Sequence, residues 1–344
     1  MENLYLSVVS TNIEMDIHIR VPLEFEKILD YTFSDSITMT RQRISIQQLL
    51  DQRNEHSSFD DKIQLIRYLN TYSKQIKNLI VNLKNTKLII QPQFSWSIDN
   101  ETIKTSCWLF EAIMPKVVNY IINTDIGKSM IKNEQFVEAN KYFKGALQCA
   151  NESYILTESW KWKMPYMNHK VISSQWHMAQ IHKINSLMQL SALSRGQQQC
   201  SSDKTLYILS QRALHHSALS YMKWKDSYTE MLLKVSDAFR YLYSANILWN
   251  NAQYGGSIYT VQHWLKDQEI ETDIFDNFKQ EFEKIPFLLQ ERIRVNNSAY
   301  FETIQSIVDL PSLESVIHTK NIKHPDIPTL NEDPQQSDYQ QDHE

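Results

Sequence analysis

The stretch Val295-Asn-Asn-Ser-Ala-Tyr300-Phe-Glu-Thr-Ile-Gln-Ser-Ile-Val-Asp-Leu310-Pro-Ser-Leu313 decides how this chain is read. Residues 100–295 before it carry a nearly unbroken helical pattern. At Asn296-Asn297 that pattern is predicted to stop. An extended apolar run is expected to follow, with an aromatic pair at Tyr300-Phe301 and a proline at Pro311. Few folds close a long helical array by turning an extended arm back onto it.

Working outward, residues 226–250 give the cleanest stripe. Tyr228, Leu232, Val235, Phe239, Leu242, Ala245 and Trp249 fall three, four or seven apart, on one helical face. Tyr254-Gly255-Gly256 is read as a break, and Ile258 to Glu269 as a resumed helix with Val261, Trp264 and Leu265. The aromatic and small residues of this pair suit a tetratricopeptide-type hairpin, but the period is too irregular for a repeat array. Residues 271–295 close the helical body with Ile274, Phe275, Phe278, Phe282, Ile285, Leu288, Leu289 and Ile293.

Further upstream, residues 168–193 and 203–224 are predicted helices. Ser194 to Ser202 joins them as a polar linker containing Gly196, and Asp203 is expected to cap the second helix. Residues 134–158 form another helix, with Phe136, Ala139, Phe143, Ala146, Leu147, Ala150 and Tyr154. Residues 100–124 are apolar around most of their circumference, which places them centrally, with a kink expected at Pro115. Residues 60–85 show one apolar face. Residues 4–10 and 87–96 are β-branched and aromatic enough for strands, with Pro92 at an edge or a strand end. The expected class is mostly α with a small N-terminal β element. Residues 1–325 form the domain, and residues 326–344 are a polar, acidic tail expected to be disordered.

Composition agrees with this class. Among 344 residues only five are glycine, against about 7% in ordinary chains. That scarcity excludes phosphate-cradling glycine loops and disfavours turn-rich sheet folds. A net charge of −5 gives no general reason to expect nucleic-acid binding. Cys107, Cys149 and Cys200 are odd in number and far apart, so they read as reduced thiols. The N-terminal residues lack a secretory pattern, and no run approaches the roughly 18 apolar residues of a membrane span. A soluble, cytoplasmic protein is expected.

Catalytic and metal-binding patterns are weak. Adjacent His215 and His216 point about 100° apart on a helix, and His177 and His182 also diverge. No His, Cys or carboxylate set has metal-ligand spacing, so no metal, cofactor or small-molecule substrate is expected. Asp60-Asp61 could belong to an all-α metal-dependent enzyme, but at a helix start they oppose the helix dipole favourably. Lys74, Lys77, Lys84 and Lys87 follow the polar side of one helix, as a solvated face or one attracted to anionic membrane or acidic helices.

Several ordered pieces resemble the BRO1 domain, the helical scaffold of ESCRT-associated adaptors. Phe94-Ser-Trp96 looks like the family's Phe-x-Trp before its central helix, and Cys107-Trp-Leu-Phe-Glu-Ala-Ile-Met like that helix. Glu138-Ala-Asn-Lys-Tyr-Phe143 resembles an Ala-x-x-x-Phe segment, and Ala179-Gln180 the end of an Ala-Gln-rich helix. Lys223-Trp224-Lys225 and Tyr254-Gly255-Gly256-Ser-Ile258 resemble the lone-domain, Brox-like branch, and the Tyr300 segment completes the order.

The resemblance implies a curved, boomerang-shaped BRO1-like helical domain with a tetratricopeptide-like core. It implies an adaptor, not an enzyme, that takes the C-terminal amphipathic helix of an ESCRT-III charged multivesicular body protein into an apolar groove. Such a protein is recruited from the cytoplasm to endosomal membranes, where peripheral membrane association is possible. Carried onto this sequence, the family's contact positions fall on Ile184, Leu206 and Leu209, with a second region at Phe136 and Val137 and a possible exposed contact at Tyr300. Lys183 and Thr205 replace residues that are apolar or aromatic in some relatives. The chain ends Gln-Asp-His-Glu without a Cys-a-a-X box, so no prenyl anchor by that route is expected. The other reading is a generic tetratricopeptide-like interaction scaffold without an ESCRT role.

Overall fold

A computed structural model describes residues 17–19, 23–29, 35–52, 58–82, 90–99, 101–159, 169–267 and 284–304. The strand expected at residues 4–10, most of residues 271–295, the arm beyond Ile304 and the tail lie outside them. The chain divides into two compact units, with the boundary between Pro115 and Lys116.

In the first unit a three-stranded sheet packs with helices. Its strands are β1 (Ile17–Ile19), β2 (Phe94–Ile98) and β3 (Glu101–Thr105), antiparallel in that order. The register pairs Ile17 with Ile98 and Trp96 with Ile103. Asp99 turns the β2–β3 hairpin with φ 48°, a left-handed conformation that Asp tolerates well. Helix α1 (Phe25–Ile28) is one turn long. Helices α2 (Ser36–Asp51) and α3 (Phe59–Asn82) pack together, burying Met39, Ile46 and Leu50 with Leu65, Leu69, Ile76 and Leu79. Ser58 and Asp61 close the start of α3: the Asp61 amide donates to the Ser58 hydroxyl and the Ser58 amide to the Asp61 carboxylate. Asp61 therefore has the capping role its position predicts.

Two expectations need correction here. Of the strand predicted over 87–96, residues 87–89 lie outside the described residues, 90–93 are not strand, and β2 begins at Phe94. Residues 101–105, expected in a helix, form β3, because Thr102, Ile103 and Thr105 are β-branched and pair along β2. Helix α4 (Trp108–Lys132) then runs through Pro115 to Lys132, beyond the expected end at residue 124.

The second unit is a succession of helices: α5 (Phe136–Ser159), α6 (Ser174–Gln198), α7 (Asp203–Lys223), α8 (Ser227–Asn250), α9 (Tyr254–Asp267) and α10 (Lys284–Val295). From α5 to α9 each packs chiefly on its neighbour in sequence. Leu187, Leu190 and Leu193 on α6 and Leu232, Val235 and Phe239 on α8 are core residues. Helix starts are capped locally. The Ser202 hydroxyl accepts from the Thr205 amide, and Asp226 forms a capping box with Thr229. The expected cap, Asp203, instead accepts from the side-chain amides of Asn246 and Asn250 on α8.

Both glycine-based breaks are also corrected. Gly196 lies inside α6, where a Cβ would stand 2.9 Å from Leu206 Cδ2, so its bareness lets α7 approach. Gly255 lies in the first turn of α9, not in a gap before it. The helical pattern does not stop at Asn296 either. Residues Asn296–Tyr300 widen into a π turn, and Phe301 ends it with φ 53°, its amide donating to the Asn296 carbonyl at 2.6 Å.

Candidate functional surface

The residues assigned by resemblance separate into two groups. Ile184 on α6, Leu206 on α7 and Phe136 on α5 are only 1%, 6% and 7% exposed, so they pack the helices from within. Leu206 is pressed against the bare backbone at Gly196. Val137 is 51% exposed, Tyr300 is 47% exposed, and Leu209 is half-buried. Ile208, which the sequence did not single out, is exposed beside Leu209. Ile184 and Leu206 are buried, so they offer no open apolar patch with Leu209.

Lys183 lies over the ring of Tyr228 at 5.2 Å, and Lys128 lies over the same ring at 4.7 Å. Burial pulls the Lys183 ammonium down to about 8, opposed by the carboxylates of Asp226 and Asp125. On the α6–α7 seam His182 and His216, which sequence spacing never paired, approach with Nδ1 atoms 3.2 Å apart. One of them carries the proton that the other accepts. Burial pushes each down to about 4. Among the described residues no group of three or more His, Cys, Asp or Glu stands together as a metal site, and no helix is long and apolar enough to cross a membrane.

Tyr300 is exposed but not idle. Its ring stacks on Tyr254 at 3.7 Å between centroids, and Trp249 meets both rings edge-on. Arg292 sits over Trp249 and donates to Ser257 Oγ and Asn246 Oδ1. Asn296 holds Glu302 at both main-chain atoms: its Nδ2 donates to the Glu302 carbonyl and its Oδ1 accepts the Glu302 amide. The Glu302 carboxylate in turn accepts from the Gly255 amide at 2.5 Å, in the first turn of α9. A Cβ on Gly255 would stand 2.1 Å from the Thr303 carbonyl oxygen, so the segment crosses where only glycine fits.

Solved structures share the fold. One, described as a complex of the ALIX BRO1 domain with CHMP4C, aligns over 86% of this chain and 90% of its own with a TM-score of 0.64 and 12% identity. The chain has the BRO1 fold. A Bro1 domain described in terms of endosomal targeting aligns over 86% of this chain and 87% of its own, with a TM-score of 0.60 and 15% identity. ALIX in complex with the SIVmac239 PYKEVTEDL late domain gives a TM-score of 0.64 at 13% identity, over 82% of this chain and 44% of the longer ALIX chain. No family model matches the sequence, and no curated protein matches it. The BRO1 fold is thus shared at 12–15% sequence identity.

Proposed function

We propose that this chain is a BRO1-type adaptor that binds the C-terminal amphipathic helix of an ESCRT-III subunit. The observation that supports this reading most directly is the alignment over 86% of this chain with a BRO1 domain described in complex with CHMP4C. Residues 1–325 would supply the domain, with the lone-domain Brox-like branch as nearest kin and a tetratricopeptide-like core carrying the partner. The role is one of binding rather than catalysis, performed in the cytoplasm and at endosomal membranes.

An amphipathic helix needs apolar side chains that reach solvent. Of the assigned residues, Val137, Leu209 and Tyr300 have surface to offer. Ile184, Leu206 and Phe136 would act beneath them, holding the backbones of α5, α6 and α7 in place. Titration of the purified chain with labelled ESCRT-III C-terminal peptides tests the reading by fluorescence anisotropy. Val137→Asp and Leu209→Asp should each weaken binding by about tenfold, equivalent to about 1.4 kcal/mol. Wild-type chain that binds no such peptide would leave the generic scaffold as the better reading. Binding unaffected by either substitution would move the site elsewhere while keeping the function.

A further inference from the structure

Two ammonium groups gather on one buried tyrosine in the second unit. Lys128 on α4 lies 4.7 Å, and Lys183 on α6 lies 5.2 Å, from the ring centroid of Tyr228 in the first turn of α8. Tyr228 and Lys128 are buried, and Lys183 keeps partial exposure. An aromatic ring attracts a cation, but two ammonium groups on one ring also repel each other.

The polar ends of all three side chains are donors. An ammonium only donates, and the Tyr228 O–H has no acceptor among the described residues. Lys183 makes no ion pair with a described residue. The nearby carboxylates are engaged elsewhere: Asp125 stands 4.0 Å from Lys128, and Asp226 accepts the Thr229 amide at 2.7 Å as the cap of α8. Lys170 adds a third positive charge to the surroundings of Lys183. A buried O–H without an acceptor, beside surplus positive charge, is costly unless an anion supplies the lone pairs.

We propose that the Tyr228 hydroxyl, Lys183 and Lys128 form a binding site for a small oxyanion of the phosphate class. The O–H and the two ammonium groups would donate to its oxygens. Three donors match the several oxygens of a phosphate or sulfate better than the two of a carboxylate. The inner two groups are buried, so the site takes a free ion or the terminal phosphate of a lipid headgroup and not an extended chain. A bound anion favours the charged ammonium and raises the Lys183 pKa from about 8, so binding near that pH takes up a proton. This inference does not depend on the ESCRT-III reading.

Isothermal titration calorimetry of the full chain with inorganic phosphate and inorganic sulfate, at constant ionic strength, tests it. Sulfate does not titrate near neutral pH, so any proton taken up with it belongs to the protein. One saturable site is expected, with a heat near pH 8 that depends on the ionisation enthalpy of the buffer and an affinity that falls as the pH rises further. Tyr228→Phe removes only the hydroxyl, and Lys183→Met removes one ammonium at a half-buried position. Each should weaken binding by about tenfold and leave the circular dichroism spectrum unchanged. Vesicles containing a phosphatidylinositol phosphate separate the two sources. Vesicle binding that inorganic phosphate displaces and both variants lose assigns a lipid headgroup, whereas ion binding without vesicle binding assigns the free ion. No saturable site for either ion, or a site that both variants retain, would overturn the proposal. Sulfate binding without proton uptake would exclude Lys183 and overturn it as well.

Discussion

The two units differ in how they gather buried polar groups. In the first, charge is concentrated at one carboxylate. Glu111 on α4 receives Arg43 Nε at 2.9 Å from α2, the Tyr72 hydroxyl at 2.6 Å from α3 and Trp96 Nε1 at 2.6 Å from β2. Arg43 and Glu111 are both buried. Burial alone would lower the Arg43 pKa, but the Glu111 and Tyr72 partners outweigh it and raise it. In the second unit charge is dispersed, with Asp125, Lys128 and Arg292 buried apart from the serine seam of α6, α7 and α8, and that seam itself carries small neutral groups. Ser186 on α6, Ser217 on α7 and Ser236 on α8 form a hydroxyl chain, with oxygens 2.7 and 3.1 Å apart. Ser217 and Ser236 also return a bond to the carbonyl one turn back, and Ser220 reaches across to the Ala179 carbonyl. Four elements that meet from different directions share one strong acceptor. Neighbouring helices that lie side by side need only short hydroxyls, which allow close approach.

This contrast is broken first at Glu111. Glu111→Ala should lower the unfolding free energy by about 3–5 kcal/mol, because it strands a buried guanidinium and two buried donors. Urea denaturation measures it, and a loss below about 1 kcal/mol would mean that the carboxylate is not the hub described. Replacing Arg43 and Glu111 together by methionine should cost less than the sum of the single substitutions.

A second effect separates charge-tolerant from charge-intolerant burial. His177 in α6 is fully buried and donates Nε2–H to the Val171 carbonyl at 2.7 Å, while its Nδ1 has no partner. Burial pushes it down from 6.5 to about 4. The unfolded chain therefore takes up the proton first. Stability is full above pH 6.5 and declines as pH falls toward 4, by up to roughly 3 kcal/mol. Thermal melts across that range should show the decline, and His177→Gln should flatten the corresponding part of the slope. A slope identical to wild type would remove His177 as its source.

The smallest effect belongs to the hydroxyl chain. Ser217→Ala leaves Ser186 and Ser236 with their own carbonyl partners at Ala213 and Leu232, so the cost should be about 1 kcal/mol or less. A loss comparable to that of Glu111→Ala would make the seam as centralised as the Glu111 hub.

Much of the helical body was legible because large apolar residues recur at helical spacing over long windows. The Tyr228–Trp249 row and the α3 row both form helices with core-facing stripes. Short polar strands were harder to see. Glu101–Thr105 has little hydrophobic signal, and only its pairing with Phe94–Ile98 makes it a strand. Gly196 and Gly255 misled for a different reason: in both, glycine permits a close approach by a distant segment rather than a turn, and sequence spacing does not encode that partner. Which candidate contacts reach solvent was equally illegible. Ile184 and Leu206 face neighbouring helices, while Val137, next to buried Phe136, faces outward. The Glu111 hub and the His182–His216 pair join residues 15 to 68 positions apart, beyond any local periodicity.

The Glu302–Gly255 bond has a consequence in time. The carboxylate that completes the first turn of α9 lies 47 residues downstream of the amide it accepts. At about 5–20 residues per second, a ribosome delivers it roughly 2–10 s after Gly255 has been added. During that interval the first turn of α9 lacks the carboxylate that accepts the Gly255 amide.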